Sequence, residues 1–429
     1  MTTLLTAIAL GAAMASTPVT LNSDFDDLSR RAVMFFWRES HPETGFTKDR
    51  AANFRLRDEF TVSSCAATGF ALASHPIGVE RGWLPRRPAL ERARLTLRNL
   101  LEKHSHERGW FQHWVHWVTG EREWNGEFST IDTAILLSGV IVARQYWRDP
   151  EVTRLADAIL NRVDWEWMLT QDGAKPDQVL MTHGWYPETG FIEHLWANYS
   201  EELMLYILMY GFSDVSTAGW DKITRNVSTY NGIEFITGGP LFIHHMSHVF
   251  YDFSNRRDRL GFNYWVATRN ATLANRAYAI DNPKGFKGYG PNFWGLSASD
   301  GPDGYSAFGA PGWINDNGTI NPSSAIASVL WTPDESKQFL AHILAEYRHI
   351  FGRYGLANGV NPTRDWHTPD VIGIELGMML LGIENARDGL IHRLTMSHPA
   401  VRRGFERAGL RPAPSSDLGP LRVPPRQSR

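Results

Sequence analysis

The sequence predicts an all-α protein folded as an α/α toroid, with long functional loops and short β hairpins between its helices. Helical apolar periodicity recurs along the chain with only short breaks. Segments 131–142, 203–210 and 371–383 are apolar nearly all round, as buried helices are, whereas 87–104 and 149–161 are amphipathic and belong outside. Neither β-α-β alternation nor a strong internal repeat is visible, so an inner ring of helices wrapped by an outer one fits the pattern best.

Taken in order, residues 1–15 form an apolar stretch closed by Ala13-Met14-Ala15, the form of a secretory signal with its cleavage site. It is too short to span a membrane, and no other segment is apolar enough, so the mature chain is expected in the periplasm or secreted. A single catalytic domain is expected over 16–410. Helices are expected at 24–38, 62–75, 87–104, 129–147, 150–168, 200–210, 270–279, 333–351, 369–386 and 400–408. The second carries Cys65, the only cysteine, so there is no intrachain disulfide or cysteine zinc site, and a small buried hydrophobe is the expectation. The loops after Gly109, Leu169 and Thr237 have the composition of short strands or hairpins. Residues 411–429, rich in Pro, Ser and Arg, are expected to be disordered.

A net charge of −3 with no basic stripe argues against nucleic acid or an anionic membrane as partner and favours a neutral polar substrate. Seventeen tryptophans exceed what packing alone requires; most are core or rim, but a flat indole face also suits the C–H face of a pyranose. Between Gly285 and Gly318 the chain concentrates nine glycines, seven aromatics and three aspartates in thirty-four residues. That mixture is too aromatic for a linker and too glycine-rich for a helix, so an ordered carbohydrate-binding loop is expected there. Trp124, Trp196, Tyr289, Trp294 and Trp313 are candidate stacking platforms; Asn292, Asp300, His244 and His248 are candidate hydroxyl contacts.

His244-His245-Met246-Ser247-His248 places two histidines on one helical face, but no Glu or Cys stands at a matching zincin spacing, so no metal is expected there. Asn315-Asp316-Asn317-Gly318 reads as a turn, because Thr319 and Ile320 fill the remaining calcium-ligand positions. With no P-loop, GxGxxG or GxSxG element either, no cofactor is expected.

In an α/α barrel the cleft forms where inner helices begin, so carboxylates near those starts carry the chemistry. Ser200 can cap a helix with Glu201 and Glu202 in its first turn, where a purely dipolar role competes with a catalytic one. Ser129 and Asp132 have capping-box spacing, which leaves Glu127 on the loop facing the cleft. Thr368 can cap a helix with Pro369 in its first position and Asp370 at its dipole. Glu375 then falls inside an apolar run, where it must be neutral, paired with an arginine or facing a wet cleft. Two carboxyl groups flanking a scissile bond suffice for glycoside hydrolysis, one as acid and one as base. Several pairs are available, and spacing alone does not choose among them.

From residue 24 to about 410 the chain resembles the glycoamylase-like family of bacterial (α/α)6-barrel proteins, which includes the endo-β-1,2-glucanases of glycoside hydrolase family 144. The resemblance lies in Leu28-Ser-Arg-Arg-Ala-Val-Met-Phe-Phe-Trp37 with His41-Pro-Glu-Thr-Gly45, Ala67-Thr-Gly-Phe70, Phe128-Ser-Thr-Ile-Asp-Thr133, Gly239-Pro-Leu-Phe242 with Ser247-His248, 290–305, and Gly382-Ile-Glu-Asn385. It implies an (α/α)6 barrel, inverting hydrolysis of β-1,2-glucan and no cofactor. The family's Tyr-Asn-Glu helix start is similar to Tyr199-Ser200-Glu201, implying Glu201 as general acid. Its Gly-Ile-Asp-Gln-Gly segment reads Gly373-Ile-Glu-Leu-Gly377 here, implying Glu375 near the water, displaced by about 1 Å through its extra methylene. His245 and Met246 replace a usual Gln-Tyr pair, so linkage, chain length or exo action could differ.

The expectation is an endo-acting, inverting β-1,2-glucanase with Glu201 as acid and Glu375 or Asp132 as base. Alternatives are a hydrolase or transglycosylase of the same fold working on another glycan or in exo mode, a polysaccharide lyase, or a glucan-binding protein silenced at Ser200 and Leu376. Oligomeric state is not legible in the sequence.

Overall fold

The computed structural model describes residues 18–413 and 421–422. The expected signal segment 1–15 lies outside the described residues. Six helices form a closed inner ring: Cys65–Glu80, Thr130–Trp147, Leu203–Phe212, Leu241–Phe250, Pro322–Ala327 with its 3-10 extension Ser328–Leu330, and Gly373–Arg387. Five of the six successive neighbours, including the last with the first, pack helix on helix, and the third and fourth are joined where Met204 N donates to Ser247 Oγ at 3.0 Å. Around them lie Ser23–Arg38, Arg86–Glu102, Pro150–Asn161, Tyr264–Asp281, Pro333–Glu346 and Pro399–Arg407, while Leu390–Ser397 closes the end of the ring opposite the cleft. The protein is an (α/α)6 barrel. Among the described residues no helix is long and apolar enough to cross a membrane.

Most expected helices are present within a few residues. Two of the inner six went unread in the sequence: Leu241–Phe250, whose three histidines disguise a helix buried at every residue but Phe242, and the short Pro322–Ala327. Leu390–Ser397 was unread as well. The expected 150–168 helix is two, broken at Arg162–Asp164, with Trp165–Thr170 restarting on an Asp164 cap. Three inner starts also move inward. Val62–Ser64 form a strand paired with Trp114–His116, so that helix begins at Cys65; Asp370–Ile372 form a strand paired with Arg50–Ala52, so that helix begins at Gly373 without the Thr368 cap; and Glu201 and Glu202 form a turn before Leu203.

Short hairpins are present as expected after Gly109 and Leu169: Trp110–Phe111 pairs with His106–Glu107, and Gly184–Tyr186 pairs with Gly190–Phe191 and Phe128–Ser129. Beside Thr237 the hairpin Val227–Tyr230/Ile233–Ile236 precedes the residue and a helix follows it. The expected disordered tail is corrected where it is described. Arg411–Pro412 pairs with Arg256–Arg257, and Leu421 is buried.

The ring is narrow because backbone touches backbone. A Cβ on Gly139 would lie 2.0 Å from the Gly69 carbonyl oxygen, and one on Gly69 would lie 2.6 Å from Leu136 Cα. Neither neighbour is a movable side chain. Gly139→Ala is therefore expected to destabilise the fold by about 2–3 kcal/mol, read as a lowered urea midpoint, with Gly232→Ala at an open turn as a control for a positive-φ cost alone.

Candidate active site

The inner helices begin at one end of the barrel, and the residues just before them carry the acidic groups. Asp49 and Arg50 are fixed there by the strand paired with Asp370–Ile372 and by Gly373 N donating to Asp49 O at 2.7 Å. A buried ion network supports that strand: Lys48 Nζ contacts Glu39 at 3.0 Å and Asp58 at 2.7 Å, and Asp58 also accepts from Ala52 N. Arg50 donates to both Asp300 oxygens, at 3.2 and 3.4 Å, and lies 3.8 Å from Asp49 and 3.9 Å from Asp370.

Asp300 stands on the hairpin Ala298–Gly301/Gly304–Ala307, which the glycine-rich segment folds into the cleft mouth. Opposite Asp300 on that hairpin is Tyr305, whose ring is more than half exposed. Loss of water around its hydroxyl, then the carboxylates of Glu375, Asp49, Glu201 and Asp300, holds its phenol well above the usual range. These four acids, drawn from four separate stretches of chain, are all near enough to act on the Tyr305 phenol.

Glu201 sits on the turn before Leu203, partly exposed, with Ser200 Oγ 3.5 Å from Oε2 and its own carbonyl accepting from Ser247 at 2.7 Å. Burial first, then the charges of Asp132 and Glu202, pushes its carboxyl up to about 8. Glu202 points away, accepting from Ser200 N at 2.6 Å, with burial raising it to about 7 against the pull of Arg225. Glu375 is 2% exposed, its Oε2 has no hydrogen-bond partner, and burial, with Asp49 and Asp300 adding to it, raises it to about 8.

Asp132 is differently placed. Ser129 caps the Thr130–Trp147 helix by accepting from Asp132 N at 3.2 Å and returns its hydroxyl to Asp132 Oδ2 at 2.6 Å, which realises the expected box through the hydroxyl. His113 Nε2 lies 3.5 Å from Asp132 Oδ1, and His113 Nδ1 lies 2.8 Å from Glu127 Oε1. The ligand atoms of these three residues lie within 4.8 Å of one another, dimensions that suit a cation, but both ring nitrogens already face carboxylates.

Beside Ser200 opens a cavity of about 480 Å³, lined among others by Trp196, Tyr199, Asn226, Phe242 and Trp313. Trp196 stacks on His183 at 3.9 Å and donates to Thr130 Oγ1 at 2.9 Å. Trp313, 49% exposed, lies over Gly239, where a Cβ would come within 2.2 Å of the indole. Trp124 is 58% exposed and leans on Trp114 at 5.5 Å, at the rim.

Several candidate contacts are corrected. Trp294 is fully buried against Phe339 and belongs to the core. His248 is buried in the barrel wall, 3.2 Å from Thr268 Oγ1, and burial followed by His392, His245 and His244 keeps its imidazole neutral. His244 is buried behind the cavity wall, where burial lowers it to about 3. Tyr289 gives its hydroxyl to Asp316 at 2.7 Å, and that aspartate also accepts from Tyr278 and Gly318 N, as the turn reading expects. Asn292 is half-buried and lines no part of the cavity. Asp300 is in the cleft, but its oxygens are already bound by Arg50 and Thr368. Sequence reading missed His113, Asp49, Arg50 and Tyr305. Only Tyr305 carried a signal, through its place in the aromatic glycine-rich segment.

The sequence signature of the family described as "Glycoamylase: Putative glucoamylase" matches residues 193–399. A crystal structure of a "putative glucoamylase" from Bacteroides uniformis superimposes with a TM-score of 0.83 at 30% identity, over 92% of this chain and 99% of that one. An endo-β-1,2-glucanase from Chitinophaga pinensis, in complex with sophorotriose and glucose, does so with a TM-score of 0.82 at 27% identity, over 91% and 99%. In sequence the chain is 27% identical over 433 residues to an exo β-1,2-glucooligosaccharide sophorohydrolase (non-reducing end) from Parabacteroides distasonis. The match takes in 91% of this chain but spans only 58% of that relative's length.

Because Glu375 titrates near 8 when folded and near 4.5 as a free side chain, the folded protein holds this proton more tightly. Its contribution to stability is complete below about 4.5 and is lost as pH rises through about 8. Glu375→Gln is expected to melt higher than the parent at pH 9, with the gain vanishing towards pH 5; differential scanning fluorimetry across that range checks it.

Proposed function

The chain belongs to the glycoamylase-like family, and from that membership we propose that it is a glycoside hydrolase that cleaves β-1,2-glucan with inversion. The observation that carries the reading is Glu201. It is a carboxylic acid held up to about 8 by burial, and it directly follows Ser200, which lines a cavity together with Trp196 and Trp313. A protonated acid there can give its proton to the leaving glycosidic oxygen, and the half-exposed indole of Trp313 offers a flat face for a pyranose ring, while Trp196 is buried and stacked on His183. The linkage rests on the relatives, whose names specify β-1,2-glucans.

Of the two groups proposed as base, Asp132 has the better supported environment. It accepts from Ser129 on one oxygen and has the His113 nitrogen 3.5 Å from the other, surroundings that suit a carboxylate that activates water. Glu375 has an unpartnered oxygen and no cation in hydrogen-bond contact, so it is held as a neutral acid. Endo action is proposed because the chain spans 99% of the Chitinophaga enzyme; exo release of sophorose is the second reading, favoured by the likeness to the longer sophorohydrolase.

Purified protein incubated with linear β-1,2-glucan is expected to release a range of sophoro-oligosaccharides and to leave β-1,3-, β-1,4- and α-glucans intact. Sophorose as sole early product would establish exo action, and binding without turnover would establish a silenced site. Glu201→Gln should lose about 10²–10⁴-fold in kcat with an unchanged circular dichroism spectrum; full hydrolysis by that variant overturns the acid assignment. Asp132→Asn should fall by a similar factor and Glu375→Gln by less. The reverse order would transfer the base role to Glu375.

A further inference from the structure

His113 lies outside every expectation drawn from the sequence, yet three acidic groups surround it. Its Nδ1 is 2.8 Å from Glu127 Oε1, its Nε2 is 3.5 Å from Asp132 Oδ1, and Asp49 adds a third negative field. The ring lies flat on Trp114, with centroids 3.5 Å apart and planes 13° from parallel, and Trp114 in turn meets the rim residue Trp124. A neutral imidazole carries one N–H and could donate to only one of its two carboxylates. With both nitrogens facing acid oxygens and an indole face against the ring, the site is built for an imidazolium.

We propose that His113 is a positioning residue, a doubly protonated imidazolium that ties Asp132 to Glu127 and holds the Asp132 carboxylate charged and oriented for its part as base. The proposal rests on the reading of Asp132 given above. Burial alone would depress this imidazole, but Asp132, the hydrogen bond to Glu127 and the Glu127 charge outweigh it, and it stands above the ordinary range. Burial likewise opposes charge on Glu127, and the His113 hydrogen bond and charge overcome it, with Tyr186 donating a further hydrogen bond. Asp132 itself faces His113, Ser129, Asp49 and Glu201, and its charge in turn helps keep Glu201 protonated. One half-buried cation thus favours charge on Asp132, and that charge in turn favours the protonated form of Glu201, the opposite states that the reaction needs.

The test joins a pH–rate profile to an imidazole titration. His113→Gln keeps a donor and removes the charge, so the acidic limb of kcat/KM is expected to move up by about one pH unit, an approximately tenfold loss on the acid side. The basic side and the circular dichroism spectrum should change little. If His113→Gln does not fold, Glu127→Gln takes its place, since losing one of the two anions should move the limb the same way by a smaller step. In protein labelled with ¹³C-histidine, His113 should titrate above 6.5 in the parent and lower in Glu127→Gln. A His113 that titrates at or below 6.5, or an acidic limb unmoved in the variants, overturns the proposal. Failure of the parent on every glucan would count against the proposed function, and the imidazole titration would still decide the state of His113.

Discussion

Glycines let the inner helices approach closely enough to set the width of the ring. Gly69 abuts Gly139 and Gly382 lies against the Ala327 carbonyl, backbone to backbone, while Gly377 makes room for the Phe70 ring. Because neighbours press from both sides, the residues Thr130–Ala143 and Leu376–Ile383 are buried without interruption, and the histidines of the inner helix Leu241–Phe250 are kept neutral by burial. Acidic side chains gather where the helices begin, since the preceding loops supply partners and an opening to solvent. Glu384, fully buried towards the other end of Gly373–Arg387, is held there by Arg81.

Confinement there sets protonation. Glu201 and Glu375 are raised chiefly by burial, so they remain neutral acids at physiological pH. Asp132 stands near them yet receives donors from Ser129 and His113, and Asp49, Asp300 and Asp370 share the guanidinium of Arg50. Burial raises Asp49, Asp370 and Glu202 as well, despite their partners, so surroundings rather than residue type set the state of each carboxyl group around this cleft.

Periodicity alone identified the buried helices around 131–142, 203–210 and 371–383, and capping chemistry located the Ser129–Asp132 pair, because both signals are local. It failed for Leu241–Phe250, where His244, His245 and His248 look polar on paper but lie buried and, through loss of water, neutral. Trp294 and Trp313, read alike as platforms, ended in opposite places, one fully buried against Phe339 and the other half exposed over Gly239. Nothing in their flanking residues distinguishes them.

The amino-acid sequence by itself determined the helical toroid, the glycine-rich aromatic segment at its mouth and the likeness of its motifs to one family, because each depends on residues adjacent in the chain. Tertiary structure alone decided which acids meet. Asp49, His113, Asp132, Glu201, Asp300 and Glu375 come from six separated stretches, and only ring closure brings them into one field. The state of each depends on burial and on partners hundreds of residues away, as with Arg50 and Asp300, and such energies have no counterpart in local pattern.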